Sequence, residues 1–230
     1  MKSPILNTRK MKSSILVSMV CLSILFSCSD EKLCLRGSGR VETYELQAGA
    51  FEDIYIYGPV NLRFKQSETV NLSVVAEPEM FSNLSYRIHD KSLFIGFEGS
   101  VSCFETEYGV WVDVSLPQLK YINAQGSNEI MSVGPIYQDR IRIVTDGTAK
   151  VQLAGTVQEQ DITVSGSLMA RNFDLQSART SIKIDGSGDL EIACSDQLTI
   201  DVEGAATIAY KGAPAINIEK KGNLSLYRID

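Results

Sequence analysis

Residues that serve metal and acid–base chemistry are scarce in this chain. It has one histidine, His89, and one tryptophan, Trp111, among 230 residues. Its five cysteines include no Cys-x-x-Cys pair, so the ligand set of a His/Cys zinc centre is missing. Six prolines and 17 glycines are too few to suggest a disordered chain. Basic clusters are absent downstream of the first dozen residues, and 28 Asp and Glu outnumber 22 Lys and Arg. A phosphate backbone is bound by neutralising it with Lys and Arg, so nucleic acid is excluded as a partner. The leading apolar run, Ile15–Phe26, has 12 residues. A membrane-crossing helix needs about 20.

That short run is informative because of what flanks it. Lys2, Arg9, Lys10 and Lys12 precede it, and Leu25-Phe26-Ser27-Cys28 ends it. A basic leader with a short apolar core is the form of a secretory signal. Met11 is an alternative start to Met1, since Met11-Lys12-Ser13-Ser14 makes a basic end by itself. The terminal tetrapeptide resembles the lipobox of bacterial lipoproteins, which implies a signal over 1–27 and an acylated Cys28. More than one acyl chain is needed for stable anchoring, and a triacylated cysteine provides it. Ser29 directly after Cys28 resembles the outer-membrane sorting pattern, and Asp30-Glu31 resembles a surface-export signal. The expected address is the outer membrane, facing outward, with a periplasmic face as the alternative. Without residues 1–27 the balance is 18 basic against 28 acidic residues, a net charge of −10.

Downstream, the dominant feature is a repeat. Glycine recurs at 126, 147, 166, 186, 204 and 222. Four residues before each stands isoleucine: Ile122, Ile143, Ile162, Ile182, Ile200 and Ile218. Four residues after each stands Ile130, Val151, Ala170, Leu190, Ile208 or Leu226. Between them the alternation is of period two, as in Ile182-Lys183-Ile184-Asp185, which indicates half-buried strands. A unit of about 20 residues cannot bury its own apolar face, whereas stacked units share a continuous core. The expected fold is therefore all-β: a right-handed parallel β-helix or solenoid. Six rungs at about 4.8 Å each give a stack roughly 29 Å tall. An antiparallel sandwich is the rival architecture.

Residues 37–119 read as a less regular β region. Strands are expected at Tyr55–Leu62 around Gly58, at Val70–Val75 and at Val110–Leu116. A hairpin is expected over Tyr86–Ile95 with its turn at Asp90-Lys91, and a short helical turn at Glu77–Phe81. In order along the chain come Gly37-Ser38-Gly39-Arg40-Val41, Phe51, Asn61-Leu62 with Gln66, Leu93-Phe94-Ile95, Leu116-Pro117-Gln118-Leu119 and Ile208-Ala209-Tyr210-Lys211-Gly212. This series resembles the putative auto-transporter adhesin, head GIN domain family, from about residue 35 to the end. The resemblance implies a Bacteroidetes envelope protein with a β-helical fold and an adhesive or binding role. It brings no catalytic motif. The chain departs from the family pattern in keeping a full Gly-Ser-Gly in only one of its C-terminal repeats, at 186–188.

Four constellations invite chemistry. Asp185, Asp189, Asp201 and Glu203 fall on outward phases of adjacent rungs and could offer oxygen ligands to calcium or serve a carbohydrate-active enzyme. A solvated acidic face is the plainer reading. Gly37-Ser38-Gly39 and Gly186-Ser187-Gly188 lack the third glycine or lysine of a phosphate loop and read better as bends. His89 sits in a charged turn without a nucleophile motif beside it. The aromatics Tyr55, Tyr57, Phe64, Phe94, Phe97, Phe104, Tyr108 and Trp111 crowd the N-terminal half, where they either pack or stack on sugars. Cys34 and Cys103 are expected to form the one internal disulfide an oxidising envelope permits, with Cys194 left as a small buried residue.

The expected organisation is thus a signal over 1–27, an acylated cysteine and linker over 28–36, a β region over 37–119 and solenoid repeats over 120–230. The last two form one continuous domain. No cofactor is expected, and no enzyme. The partners are a membrane through the anchor and a glycan or surface protein. A β-helical carbohydrate-active enzyme and a structural envelope protein are the alternatives.

Overall fold

The computed structural model describes residues 33–97 and 101–230. The expected signal and Cys28 lie outside them. Alternating apolar and polar residues make almost every described segment a strand. The N-terminal strands are β1 (Leu33–Arg36), β2 (Glu42–Leu46), β3 (Asp53–Tyr57), β4 (Val60–Gln66) and β5 (Asn71–Ala76). A single helical turn follows, α1 (Pro78–Phe81), and then β6 (Leu84–His89), β7 (Ser92–Phe97), β8 (Val101–Glu105) and β9 (Val110–Leu116). The repeats supply β10 (Tyr121–Ser132), β11 (Ile136–Gln152), β12 (Gly155–Val202), β13 (Ala205–Lys211), β14 (Ala215–Lys220) and β15 (Asn223–Arg228).

The repeats pair in parallel and in phase. Ile122 lies beside Ile143, which lies beside Ile162, and Ile200 lies beside Ile218. On the other limb Ile130 is followed by Val151 and Ala170, and Leu190 by Ile208 and Leu226. β12 cannot be straight, because Gly186 rests on the carbonyl of Gly166 within the same strand. The glycine column explains why the repeat tolerates nothing else. A Cβ on Gly147, Gly166, Gly186, Gly204 or Gly222 would fall 1.9–2.3 Å from the carbonyl oxygen of the glycine one rung below.

The repeat continues toward the N-terminus through the strand-Gly-strand unit around Gly58. Ile54 of β3 continues the first column below Ile122, and Leu93 of β7 lies below Ile54. Leu62 of β4 and Val112 of β9 continue the second below Ile130. Ile54 and Leu62 stand four residues either side of Gly58, the phase of the later rungs.

All-parallel pairing fails at this end. β5 pairs antiparallel with β9, β2 with β5, and β6 with β7, so the 13-stranded sheet is mixed. Antiparallel neighbours need only a short connection, and Asp90 and Lys91 provide one with φ of 47° and 62°. The linker expected over 28–36 also needs correction. From Leu33 the chain is strand β1, paired in parallel with β8, and a Cys34–Cys103 disulfide joins the two. Cys194 is buried as a free thiol.

Candidate functional site

The outer wall of the repeats is an ion-pair ladder. Parallel in-phase strands set each outward residue beside its equivalents one rung above and below, so opposite charges meet. Arg140 pairs with Asp161 at 2.5 Å and with Glu159 at 3.5 Å, and Glu159 receives Arg179 at 2.5 Å. Three of the four acidic residues that could have offered ligands to calcium are drawn into the same scheme. Asp189 pairs with Arg171 at 2.6 Å, Glu203 with Lys221 at 2.9 Å and Asp201 with Lys183 at 3.8 Å. Asp185 is exposed just before the Gly186 bend. Those three carboxylates form ion pairs, because Arg171, Lys183 and Lys221 lie one rung away. Among the described residues, only Cys34, Cys103 and Glu105 bring three ligand-type side chains together, and the two sulfurs are bonded to each other.

These pairs carry a pH signature. Hydrogen bonds hold the Glu159 carboxyl below its ordinary value through Arg179, Glu203 through Lys221 and Glu52 through Lys120. A carboxyl whose pKa is lower folded than unfolded contributes stability that is complete above the unfolded value, here 4.5. That contribution is lost as pH falls through the folded value. The urea midpoint is therefore expected to fall as pH drops below about 4.5, and Glu159→Gln to remove part of that slope. A midpoint level between about pH 6 and pH 3 would contradict the ladder's role.

A different surface lies on the outer face of β4, β9 and β5. In β4, Val60, Leu62 and Phe64 point inward while Asn61, Arg63 and Lys65 point out. In β9, Val110, Val112 and Val114 point inward while Trp111, Asp113 and Ser115 point out. The register sets Asn61 beside Trp111 and Arg63 beside Asp113. Arg63 donates from Nε and, at 2.8 Å, from Nη2 to the Asp113 carboxylate. Its guanidinium also lies 4.9 Å from the centre of the Trp111 ring. Two contacts thus fix one flexible side chain, and a bidentate carboxylate pair sets its plane.

Around these residues lies a groove of ≈ 500 Å³ lined by Arg63, Val75 and Trp111 from the strands and by the Gly39–Val41 and Tyr108–Gly109 segments. Tyr108 is 49% exposed. A second hollow of ≈ 340 Å³, lined by Lys65, Asn71, Asp113, Ser115 and Val133, shares Arg63 with the groove. Arg63 therefore borders both hollows, while Asp113 lines the second.

The walls of the groove are loops, and one buried carboxylate ties them together. Glu77, 1% exposed, accepts from the Gly39 amide at 2.7 Å and from the Thr106 hydroxyl. Thr106 Oγ1 in turn accepts from the Gly109 amide at 3.0 Å. Ser38 donates from its amide and its hydroxyl to Glu79 at 3.2 and 3.0 Å. The first Gly-Ser-Gly is thus occupied by the protein's own carboxylates. Gly186-Ser187-Gly188 forms a bend inside β12.

The other singled-out residues have structural surroundings. Phe64 is core. Phe94 stacks on Tyr55 at 4.7 Å, and Tyr55 meets Tyr121 at 5.4 Å, with Arg87 over Phe94 and Arg142 over Tyr121. Phe97 packs on Phe104 at 4.6 Å. His89 is exposed beside Asp90, 3.1 Å away. Of the aromatic set, Trp111 and Tyr108 line the groove. Arg63 and Asp113 were not among the residues the sequence singled out, and Arg40, Val41 and Glu77 were named only for the family resemblance and the helical turn, not for a site. Alternation in Val-Asn-Leu-Arg-Phe and Val-Trp-Val-Asp-Val could have placed Arg63, Trp111 and Asp113 on outward faces, though not beside one another.

The fold has solved counterparts. A putative adhesin from Bacteroides fragilis NCTC 9343 superposes with a TM-score of 0.66 at 19% identity, covering 84% of this chain and 99% of its own. From Parabacteroides distasonis ATCC 8503, a putative lipid binding protein gives 0.57 and a putative adhesin 0.55. Both are 18% identical, and both cover 86% of this chain and all of their own. At such identities the likeness concerns the fold. No curated protein matches. Residues 50–214, most of the chain, match a family described as putative auto-transporter adhesin, head GIN domain, and the chain belongs to that family.

Proposed function

We propose that this chain is a non-catalytic adhesion module, held at the outer membrane through an acylated Cys28 and displayed outward, which binds a saccharide in the Trp111 groove. The observation that carries the reading is the pairing of Trp111 and Tyr108, two aromatic side chains opening on one groove, with Arg63 fixed between Asp113 and the indole. Sugars offer apolar ring faces and a rim of hydroxyls, and such a site meets both with aromatic surface and charged hydrogen-bonding groups. The engaged carboxylates Asp189, Asp201 and Glu203 favour this reading over a carbohydrate-active enzyme. The rungs are read as turns of one right-handed parallel β-helix. Their in-phase parallel pairing supports that coil, and the handedness rule for parallel crossovers supports its sense.

Trp111 is the chain's only tryptophan, so its emission reports the groove directly. Titration with a panel of neutral and acidic oligosaccharides is expected to quench or shift that emission for at least one of them. Tyr108→Ala is expected to weaken binding about tenfold while the spectrum of the free protein stays unchanged. A panel without effect on emission, or binding insensitive to both Tyr108→Ala and Arg63→Ala, sinks the groove as the site.

The anchor has its own test. Cys28→Ala is expected to leave the protein uncleaved or to release it from the membrane fraction. A variant that fractionates and migrates like the parent removes the lipoprotein reading. Protease shaving of intact cells then distinguishes the outward face from the periplasmic one. Among the described residues no helix is long and apolar enough to cross a membrane.

A further inference from the structure

The two loops that wall the Trp111 groove continue two strands that stand apart from the main sheet. β1 runs into the segment 37–41, and β8 runs into the segment 106–109. Among the described residues these strands pair only with each other, as a two-stranded sheet outside the 13-stranded one. Two strands alone are at best marginally stable in water. Beyond the ladder between them, Leu35 reaches the core and is 8% exposed. Arg36 pairs with Glu105 at 2.8 Å, but both side chains are more than half exposed, so the pair adds little. The covalent tie is the Cys34–Cys103 disulfide, between residues 69 apart in the chain. It lies three residues before Gly37 on one strand and three before Thr106 on the other. Past it the Gly37 amide donates to the Glu105 carbonyl at 2.9 Å, and Glu77 joins the Gly39 amide to Thr106. Disulfide, ladder and carboxylate thus act in series, and the groove walls are their far end.

We propose that the Cys34–Cys103 disulfide positions the groove and makes its binding redox-dependent, an inference that rests on the Trp111 groove being the saccharide site. With the bond closed, β1 cannot leave β8, and the two walls stand in register around Trp111 and Arg63. A dithiol reductant opens it by thiol–disulfide exchange. Two electrons and two protons pass to the sulfurs, which become the Cys34 and Cys103 thiols, while the dithiol is oxidised to its own disulfide. The bond is reachable, since both cysteines are half-buried rather than sealed. After reduction the four-residue β1 keeps only its ladder, Leu35 and an exposed ion pair, and it frays. Fraying carries the segment 37–41 away and withdraws the Gly39 amide from Glu77. The solenoid rungs stay intact, because neither strand belongs to their sheet. A groove whose walls are in place a tenth of the time binds about ten times more weakly. Cys194 is a free, buried thiol, so among the described residues the reductant has this one bond to open.

Hydrogen exchange read by mass spectrometry, on the full chain before and after reduction with dithiothreitol, tests this. Exchange over 37–41 and 106–109 is expected to speed up at least about tenfold on reduction, while 141–170 stays protected. The tightest-binding oligosaccharide of the panel, titrated by Trp111 emission, should bind about tenfold more weakly, and reoxidation should restore both readouts. The double variant Cys34→Ser with Cys103→Ser should behave as the reduced protein. If it does not fold, reduction after folding decides the matter. Loops that exchange alike in both states overturn the proposal. So does exchange that rises equally throughout 141–170, which makes the bond a tie for the whole fold rather than for the groove. Loosened loops with unchanged affinity overturn it too. A panel that never binds the oxidised protein removes the saccharide reading instead, and loop exchange then decides alone whether the disulfide positions the groove.

Discussion

Replacing Gly166 by alanine is expected to lower the unfolding free energy by about 2–6 kcal/mol, more than most single substitutions in this chain. Two costs combine. Gly166 has φ of 114°, a conformation that side chains rarely adopt, and forcing one there costs about 1–3 kcal/mol. The added Cβ would also fall 2.2 Å from the Gly147 carbonyl oxygen, 2.9 Å from its nitrogen and 3.0 Å from its carbonyl carbon. All three are backbone atoms held by the rungs on both sides, so no side chain can swing clear. Overpacking of this kind costs about 1–3 kcal/mol more. Gly49 is the control. Nothing lies within 4 Å of a Cβ built there and its φ is not in the left-handed region, so Gly49→Ala should change stability by less than about 0.5 kcal/mol. Urea melts followed by circular dichroism measure both. Equal effects at 166 and 49 would mean that the glycine column is not a stacking contact.

Truncating the isoleucine column should be nearly as costly in mid-stack and mild at its exposed end. Ile182 is 1% exposed, and removing a buried aliphatic side chain to Cβ costs about 2–5 kcal/mol, the transfer term plus the cavity left behind. Neighbouring rungs are fixed by their ladders, so collapse around the void is limited. Ile218 occupies the same phase one rung beyond Ile200, but it is half exposed and leaves no closed cavity. About 1 kcal/mol is expected for Ile218→Ala in dilute protein. Urea melts of the two variants check this. Similar losses at 182 and 218 would mean that the core does not end where the exposure says it does.

The strands and their phase were legible in the sequence because both are local. Alternation of period two decides which side chains point inward, and a rung of about 20 residues returns each Ile to the same place. For the same reason β9, the hairpin turn at Asp90-Lys91 and the helical turn before Phe81 fall where the local pattern puts them. Gly58, with Ile54 and Leu62 at the repeat phase, shows that the N-terminal rungs were also written there. They were blurred by inserted strands whose antiparallel pairing has no local signal.

Partnership across distance was not legible. Arg63 and Asp113 are far apart in the chain, and only the parallel register of β4 on β9 makes them neighbours and sets Trp111 under the guanidinium. Glu77 looks like a solvated acid beside a proline until the fold buries it between the Gly39 amide and Thr106. The acidic residues of the repeat look like a metal-binding face until stacking brings Arg171, Lys183 and Lys221 beside them. Periodicity by itself therefore determined the rungs, the inward phase and the acidic outer wall of this protein. Charge pairing and the groove depend on which rung lies against which, and long-range strand pairing in the tertiary structure decided that.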